Sequence, residues 1–173
     1  MPADSPRLDP GPHPGATSAE ISRRMSRLRR RDNRPEMAVR RLLYARGLRY
    51  RVCFRIPGQR RRTIDIVFVG ARLAVYIDGC FWHGCPEHQH MPKANTSWWV
   101  QKMAMNRARD AAATAQLEGL GWTVLRFWEH EDPKAVVTTI VARLNDETAI
   151  QRLTSEATSE VAAHAETPAC ARR

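Results

Sequence analysis

Apolar and polar positions follow two different periods along the middle of the chain, and the order of those periods outlines a fold. Residues 35–46 repeat at helical spacing: Val39, Leu42 and Leu43 form one inward stripe, Pro35 suits the first helical position, and Gly47 supplies the stop. Three strand-like runs follow at 50–55, 63–69 and 72–78, the last two joined by a turn at Gly70-Ala71. Ser97 is placed to cap a long helix reaching about residue 118, with Trp99, Met103, Asn106 and Asp110 recurring at helical spacing and Gly119 ending it. A fourth strand-like run covers 122–128, and Asp132-Pro133 opens a closing helix. Helix, three strands, helix, strand, helix predicts one α/β domain with a mixed central sheet flanked by helices.

The periods stop at both ends. Residues 1–18 are rich in Pro and Gly and read as a disordered tail; residues 148–173 are polar and rich in Ala and Thr, and read as a disordered or frayed one. The domain is therefore expected over 19–147. No run of 18 apolar residues occurs, so no membrane span is expected. The first residues also lack the apolar stretch of a signal peptide, which points to the cytoplasm.

Charge adds a partner. The formal net charge is +10, and 17 of the 28 Lys and Arg, against 5 of the 18 Asp and Glu, lie in the first 64 residues. Arginine-rich codon usage would not respect that boundary, so the asymmetry reads as the footprint of a phosphate-backbone binder. Arg23, Arg24 and Arg27 head the basic run and are candidate phosphate contacts.

Two segments carry chemistry. Asp65 interrupts an apolar strand and Asp78 ends the next. A two-residue turn sets Asp65 opposite Tyr76, with Asp78 two residues further on the same face. Paired acids at a strand end make a hard, oxygen-rich site suited to Mg²⁺. Directly afterwards comes DGCFWHGCPEHQH, residues 78–90. Cys80, Cys85, His88 and His90 are thiols and imidazoles suited to Zn²⁺, and His130 can join them from the end of the last strand. Whether His88 or His90 completes the set is open from spacing alone. In a reducing compartment, such cysteines bind metal or lie in a core more often than they form disulfides.

With these residues in view, the chain resembles the very-short-patch repair endonucleases. The resemblance rests on DGCFWHGCPEH, then Pro92, Asn95, Trp99, Lys102, Asn106 and Arg109-Asp110, then GWTVLRFWEHE, and upstream on MSRLRRRDNRPEMAVRRLL. It covers about residues 22–144. It implies a restriction-endonuclease-like fold with a structural zinc site, and Mg²⁺-dependent nicking of one strand 5′ to the thymine of a T·G mismatch left by deaminated 5-methylcytosine. The implied partners are duplex DNA with that mismatch, accessory mismatch-repair proteins and, functionally, a cytosine-5 DNA methyltransferase. The implied enzyme is a monomer at the bacterial nucleoid.

Position by position, the resemblance makes Asp65 the metal-binding aspartate and His83 the catalytic histidine, oriented by Asp110, with Glu36 the helix acid near the centre. Phe81 and Trp82 match an aromatic wedge beside the mismatch, and Met25 a residue entering from the other groove. Cys80, Cys85, His88 and His130 match or flank the zinc positions. His130 stands where the family pattern has cysteine, and Asp78 stands at a variable position. Trp98 and Trp99 begin a helix and read as packing residues. Two other functions fit the same residues: a restriction-like nuclease without mismatch choice, and a zinc-stabilised DNA-binding module without catalysis.

Overall fold

A computed structural model describes residues 11–12, 14–15, 23, 33–59 and 62–146. Both expected tails, and the candidate DNA contacts Arg24, Met25 and Arg27, lie outside the described residues or almost wholly so; Arg23 is described and exposed.

Helix α1 spans Arg34–Ala45. Its cap is Asn33, whose side chain accepts from the Glu36 N–H at 2.9 Å, so Pro35 is the second helical residue rather than the first. Strands β1 (Arg51–Arg55), β2 (Thr63–Phe68) and β3 (Leu73–Asp78) form an antiparallel meander, and β4 (Thr123–Trp128) adds parallel to β3. Between them lie the one-turn helix α2 (Cys80–His83) and the long helix α3 (Thr96–Gly119). A closing helix, α4, occupies 133–146. Strand order is β1-β2-β3-β4.

Each face of the sheet has its own core. Val39 and Leu43 of α1 and Val136, Val137 and Ile140 of α4 pack with Ile66, Leu73, Val75 and Ile77 on one side. On the other side Ala113 and Leu117 of α3 pack with Ile64, Val67, Ala74 and Tyr76. The molecule is thus a three-layered α/β unit, as the two periods imply.

The expected turn at Gly70-Ala71 is present, closed by the Arg72 N–H on the Val69 carbonyl at 3.1 Å, and pairing of Ile66 with Val75 keeps the expected register. Two other local readings need correcting. Helix α3 starts ahead of Ser97. Asn95 precedes it in a left-handed conformation (φ 57°), and the Thr96 hydroxyl bonds back to the Pro92 and Lys93 carbonyls, so no side chain caps its N-terminus. Finally, residues 80–83 are helical, an element that the apolar pattern does not predict. Four residues are too few to show a period, and the turn is closed by its surroundings: the Glu129 carboxylate accepts from the Cys80 N–H at 2.7 Å, and Gly84 ends it at φ 76°.

Candidate active site and metal centre

Asp65 sits where β2 loses its regularity. Ile64 packs with the α3-side core and Ile66 with the α1-side core, although residues two apart on a regular strand share a face. Across the β1–β2 ladder, between the paired positions Val52–Ile66 and Phe54–Ile64, Cys53 takes a left-handed φ of 50°. Pairing of β2 with β3 also runs only from Ile66 to Phe68. Beyond it the Asp65 side chain replaces the missing ladder bond, its Oδ2 accepting from the Ile77 N–H at 3.0 Å. Burial pushes the Asp65 carboxyl up to about 6, helped by the charges of Glu36 and Asp78 and opposed by the Ile77 bond and Arg126. Glu36 itself is buried, with Arg40 one turn on at 3.3 Å. Crowded acids of this kind gain from a divalent cation, which removes their mutual repulsion. The donor chemistry fits Mg²⁺.

Asp78 is buried and differently engaged. Arg126 grips both its oxygens, Nε to Oδ2 and Nη2 to Oδ1, each at 2.7 Å. The spacing of the acids along the strands suggests a carboxylate pair shared by one cation; in the structure the Asp78 side chain is also engaged by a guanidinium.

The next group is built on α2 and α3. His83, at the end of α2, places Nδ1 2.6 Å from Asp110 Oδ2 and 3.6 Å from Asp78 Oδ1. Burial works to lower the His83 pKa, but the Asp110 hydrogen bond and the charges of Asp78 and Asp110 prevail and raise it. In the neutral ring Nδ1 donates to Asp110, leaving Nε2 as the acceptor, which is the form a general base needs. A cleft of about 210 Å³ opens here, lined by Asp78, His83, Asp110, Arg126 and Arg107 with the end of β4. It lies at the carboxyl ends of the parallel pair β3–β4, where open α/β sheets place their sites.

Arg126 is the residue that sequence reasoning missed. The signal was there: an arginine within the apolar run TVLRFW, at a position whose strand partner is Tyr76.

A second centre lies immediately past the strand ends. Asp78 pairs with Trp128, so the residues two further along each chain, Cys80 and His130, meet with Sγ 3.1 Å from Nδ1. Cys85 Sγ is 3.8 Å from the same nitrogen and 3.9 Å from His88 Nδ1. The four donor atoms of Cys80, Cys85, His88 and His130 all lie within 4.8 Å of one another, which makes this a group that could hold a metal ion. Tetrahedral zinc with its usual bonds sets its ligands about 3.3–3.8 Å apart, close to the 3.1–3.9 Å separations among these thiols and imidazoles, and the donor types suit it. His90 is not in the group.

Phe81 and Trp82 share α2 with His83. They belong to neither core cluster and are half-buried. Their rings meet edge to face with centroids 5.0 Å apart, and Trp99 packs on both, at 5.2 Å and 6.0 Å. The Asn106 amide donates to the Trp82 carbonyl at 2.9 Å and ties α2 to α3.

The described residues thus bring together a buried carboxylate at Asp65, an Asp78–Arg126 pair and an imidazole held by Asp110. The family described as "DNA mismatch endonuclease Vsr" matches residues 16–89. The chain is 40% identical over 137 residues to the "Type II nicking enzyme V.NaeI" of Lentzea aerocolonigenes, covering 78% of this chain and 82% of that one. It is 42% identical over 110 residues to the "Type II nicking enzyme V.XorIIP" of Xanthomonas oryzae pv. oryzae, covering 62% and 77%. To the "DNA mismatch endonuclease Vsr" of Escherichia coli it is 33% identical over 117 residues, covering 64% and 70%. The protein belongs to the Vsr endonuclease family and is a DNA-cleaving hydrolase. No described helix is long and apolar enough to cross a membrane.

Proposed function

We propose that the protein nicks one strand of duplex DNA 5′ to the thymine of a T·G mismatch. One observation carries this reading best: a half-buried aromatic cluster and the candidate general base stand on the same one-turn helix, Phe81 and Trp82 beside His83. Rings outside any core can enter a base stack, and a mismatched step opens at less cost than a paired one. Coupling those rings to the catalytic imidazole within two residues ties mismatch entry to cleavage.

In this reading Asp65 holds Mg²⁺, with the strand end at Ile77–Asp78 supplying any second protein ligand and Glu36 adding negative charge nearby. Bound there, the ion supplies Lewis-acid polarisation of the scissile phosphate. His83 takes the proton of the attacking water at Nε2, and Asp110 holds the ring. Zn²⁺ on Cys80, Cys85, His88 and His130 pins α2 to the end of β4 and so fixes both His83 and the rings. The sheet flanked by helices is a restriction-endonuclease-like arrangement put to nicking. The basic first third, with Arg23, Arg24, Arg27 and Met25, supplies backbone and groove contacts. A single nick needs one active site, and a monomer meets that need. T·G mismatches follow deamination of 5-methylcytosine, so the enzyme works downstream of a cytosine-5 DNA methyltransferase.

Trp82→Ala tests the wedge. The variant is expected to fold with near-normal thermal stability, yet to lose nicking and the preference for T·G over paired duplex. A buried core ring would instead cost about 3–5 kcal/mol on truncation. A destabilised variant that keeps its mismatch preference would put Trp82 in the core and remove the wedge.

A further inference from the structure

Arg126 is an expensive residue to place where it is. It lies half-buried on the last strand, its guanidinium carbon 4.5 Å above the Tyr76 ring, and its Nη1 is buried without a hydrogen-bond partner. Stability alone favours an apolar side chain there, since an orphaned buried donor is costly. The other two nitrogens explain the choice. Nε and Nη2 hold Asp78 in a bidentate grip at 2.7 Å each, and Nη2 also reaches Asp110 Oδ1 at 3.4 Å. Both carboxylates that face the His83 Nδ1, Asp110 at 2.6 Å and Asp78 at 3.6 Å, are therefore held by one planar fork.

The fork is itself fixed by the sheet. The parallel register sets Arg126 beside Tyr76, and Asp78 follows two residues along β3 on the same face. Asp110, by contrast, stands on α3, a separate element. Arg126 thus hydrogen-bonds a carboxylate of the sheet and forms an ion pair with a carboxylate of α3, behind the imidazole that contacts both.

We infer that Arg126 and Asp78 are a positioning pair: Asp78 anchors the guanidinium, and the guanidinium holds Asp110, and through it His83, in the reactive orientation. The side chain of Asp78 then serves Arg126 and not the cation. Rigid support of this kind matters because a displacement of about 1 Å in a catalytic group can cost about 10²-fold in rate. The inference rests on the proposed role of His83 as general base, and the test separates the two.

Single-turnover nicking of a T·G duplex is measured at saturating enzyme, with Mg²⁺ titrated and DNA affinity measured separately in Ca²⁺. Arg126→Met is expected to slow nicking by about 10–100-fold, with DNA affinity and the Mg²⁺ half-saturation changed less than about threefold. Asp78→Asn is expected to match it, and the double variant to be no slower than either alone, because both break one link. In an Asp110→Asn background, Arg126→Met should add little. Arg126→Lys should recover only part of the rate, since one ammonium cannot grip both Asp78 oxygens and reach Asp110. If Arg126→Met does not fold, Arg126→Lys and Asp78→Asn carry the comparison.

A wild-type rate in the Arg126 variants overturns the inference, as does an Arg126→Met effect undiminished in the Asp110→Asn background. So does a large rise in Mg²⁺ half-saturation confined to Asp78→Asn, which would make Asp78 a cation ligand. His83→Ala is run alongside. If it nicks normally the general-base reading fails; if it is inactive while Arg126→Met is normal, only the positioning pair fails.

Discussion

Replacing Asp65 by Asn is expected to abolish nicking while making the metal-free protein more stable. The loss of activity should be about three orders of magnitude or more, because the group proposed to hold the cation is gone while contacts outside the site remain. His83→Ala should be comparably inactive, and both variants should bind mismatched duplex within about tenfold of wild type. The gain in stability follows from burial. The Asp65 carboxyl is raised from 3.8 to about 6 by desolvation and by its acidic neighbours, so the folded state holds this proton more tightly than the unfolded chain does. Its contribution to stability is complete below the unfolded value and is lost as pH rises through the folded one. In EDTA, therefore, the wild-type melting temperature should fall between about pH 4 and pH 6 from this group, and Asp65→Asn should lack that component. At neutral pH the Asn variant should gain roughly 2 kcal/mol. A wild-type nicking rate, or an unchanged pH–stability profile, would count against the site.

The second large effect concerns the metal centre. Cys85 is fully buried and its backbone N–H bonds the Cys80 carbonyl at 3.0 Å, so the segment is folded around the four donors. Burial, then the hydrogen bond and charge of Cys85, push the Cys80 thiol above its ordinary range. Zinc bound to both thiolates would exchange that cost for coordinate bonds. Elemental analysis should find close to one zinc per chain. Cys85→Ala should lose it together with several kcal/mol of stability, of the order expected when a structural site is emptied. His130→Cys should keep the metal, since a thiolate can replace the imidazole at the same strand end. Full stability in a metal-free preparation would remove the structural role.

Much of this was readable from residue order, for identifiable reasons. The pairing of β2 with β3 follows from two long apolar runs and a short link, and that pairing is what brings Asp65 close to Ile77. Cys80 and His130 were legible as partners because a thiol and an imidazole each follow directly on a strand-like run, and the parallel pairing of those strands brings them together. What stayed hidden depends on contacts between elements. Helix α2 has no period of its own and exists because Glu129, from β4's far end, holds its first N–H. The break in β2 at Asp65 leaves no mark in the apolar pattern, since Ile64 and Ile66 look alike in sequence and differ only in which core receives them. Asp78 showed its charge but not its partner, which lies 48 residues away on another strand.

Mismatch-selective, metal-dependent nicking is read out by a single assay. End-labelled duplexes that are fully paired, carry T·G, or carry another mismatch in the same sequence are incubated with the protein in Mg²⁺ or EDTA, and the product ends are mapped. The expected result is a single-strand nick 5′ to the thymine of the T·G duplex, at least about tenfold faster than on any other duplex, and no product in EDTA. Equal cleavage of paired and T·G duplexes, or cleavage that persists in EDTA, would contradict it.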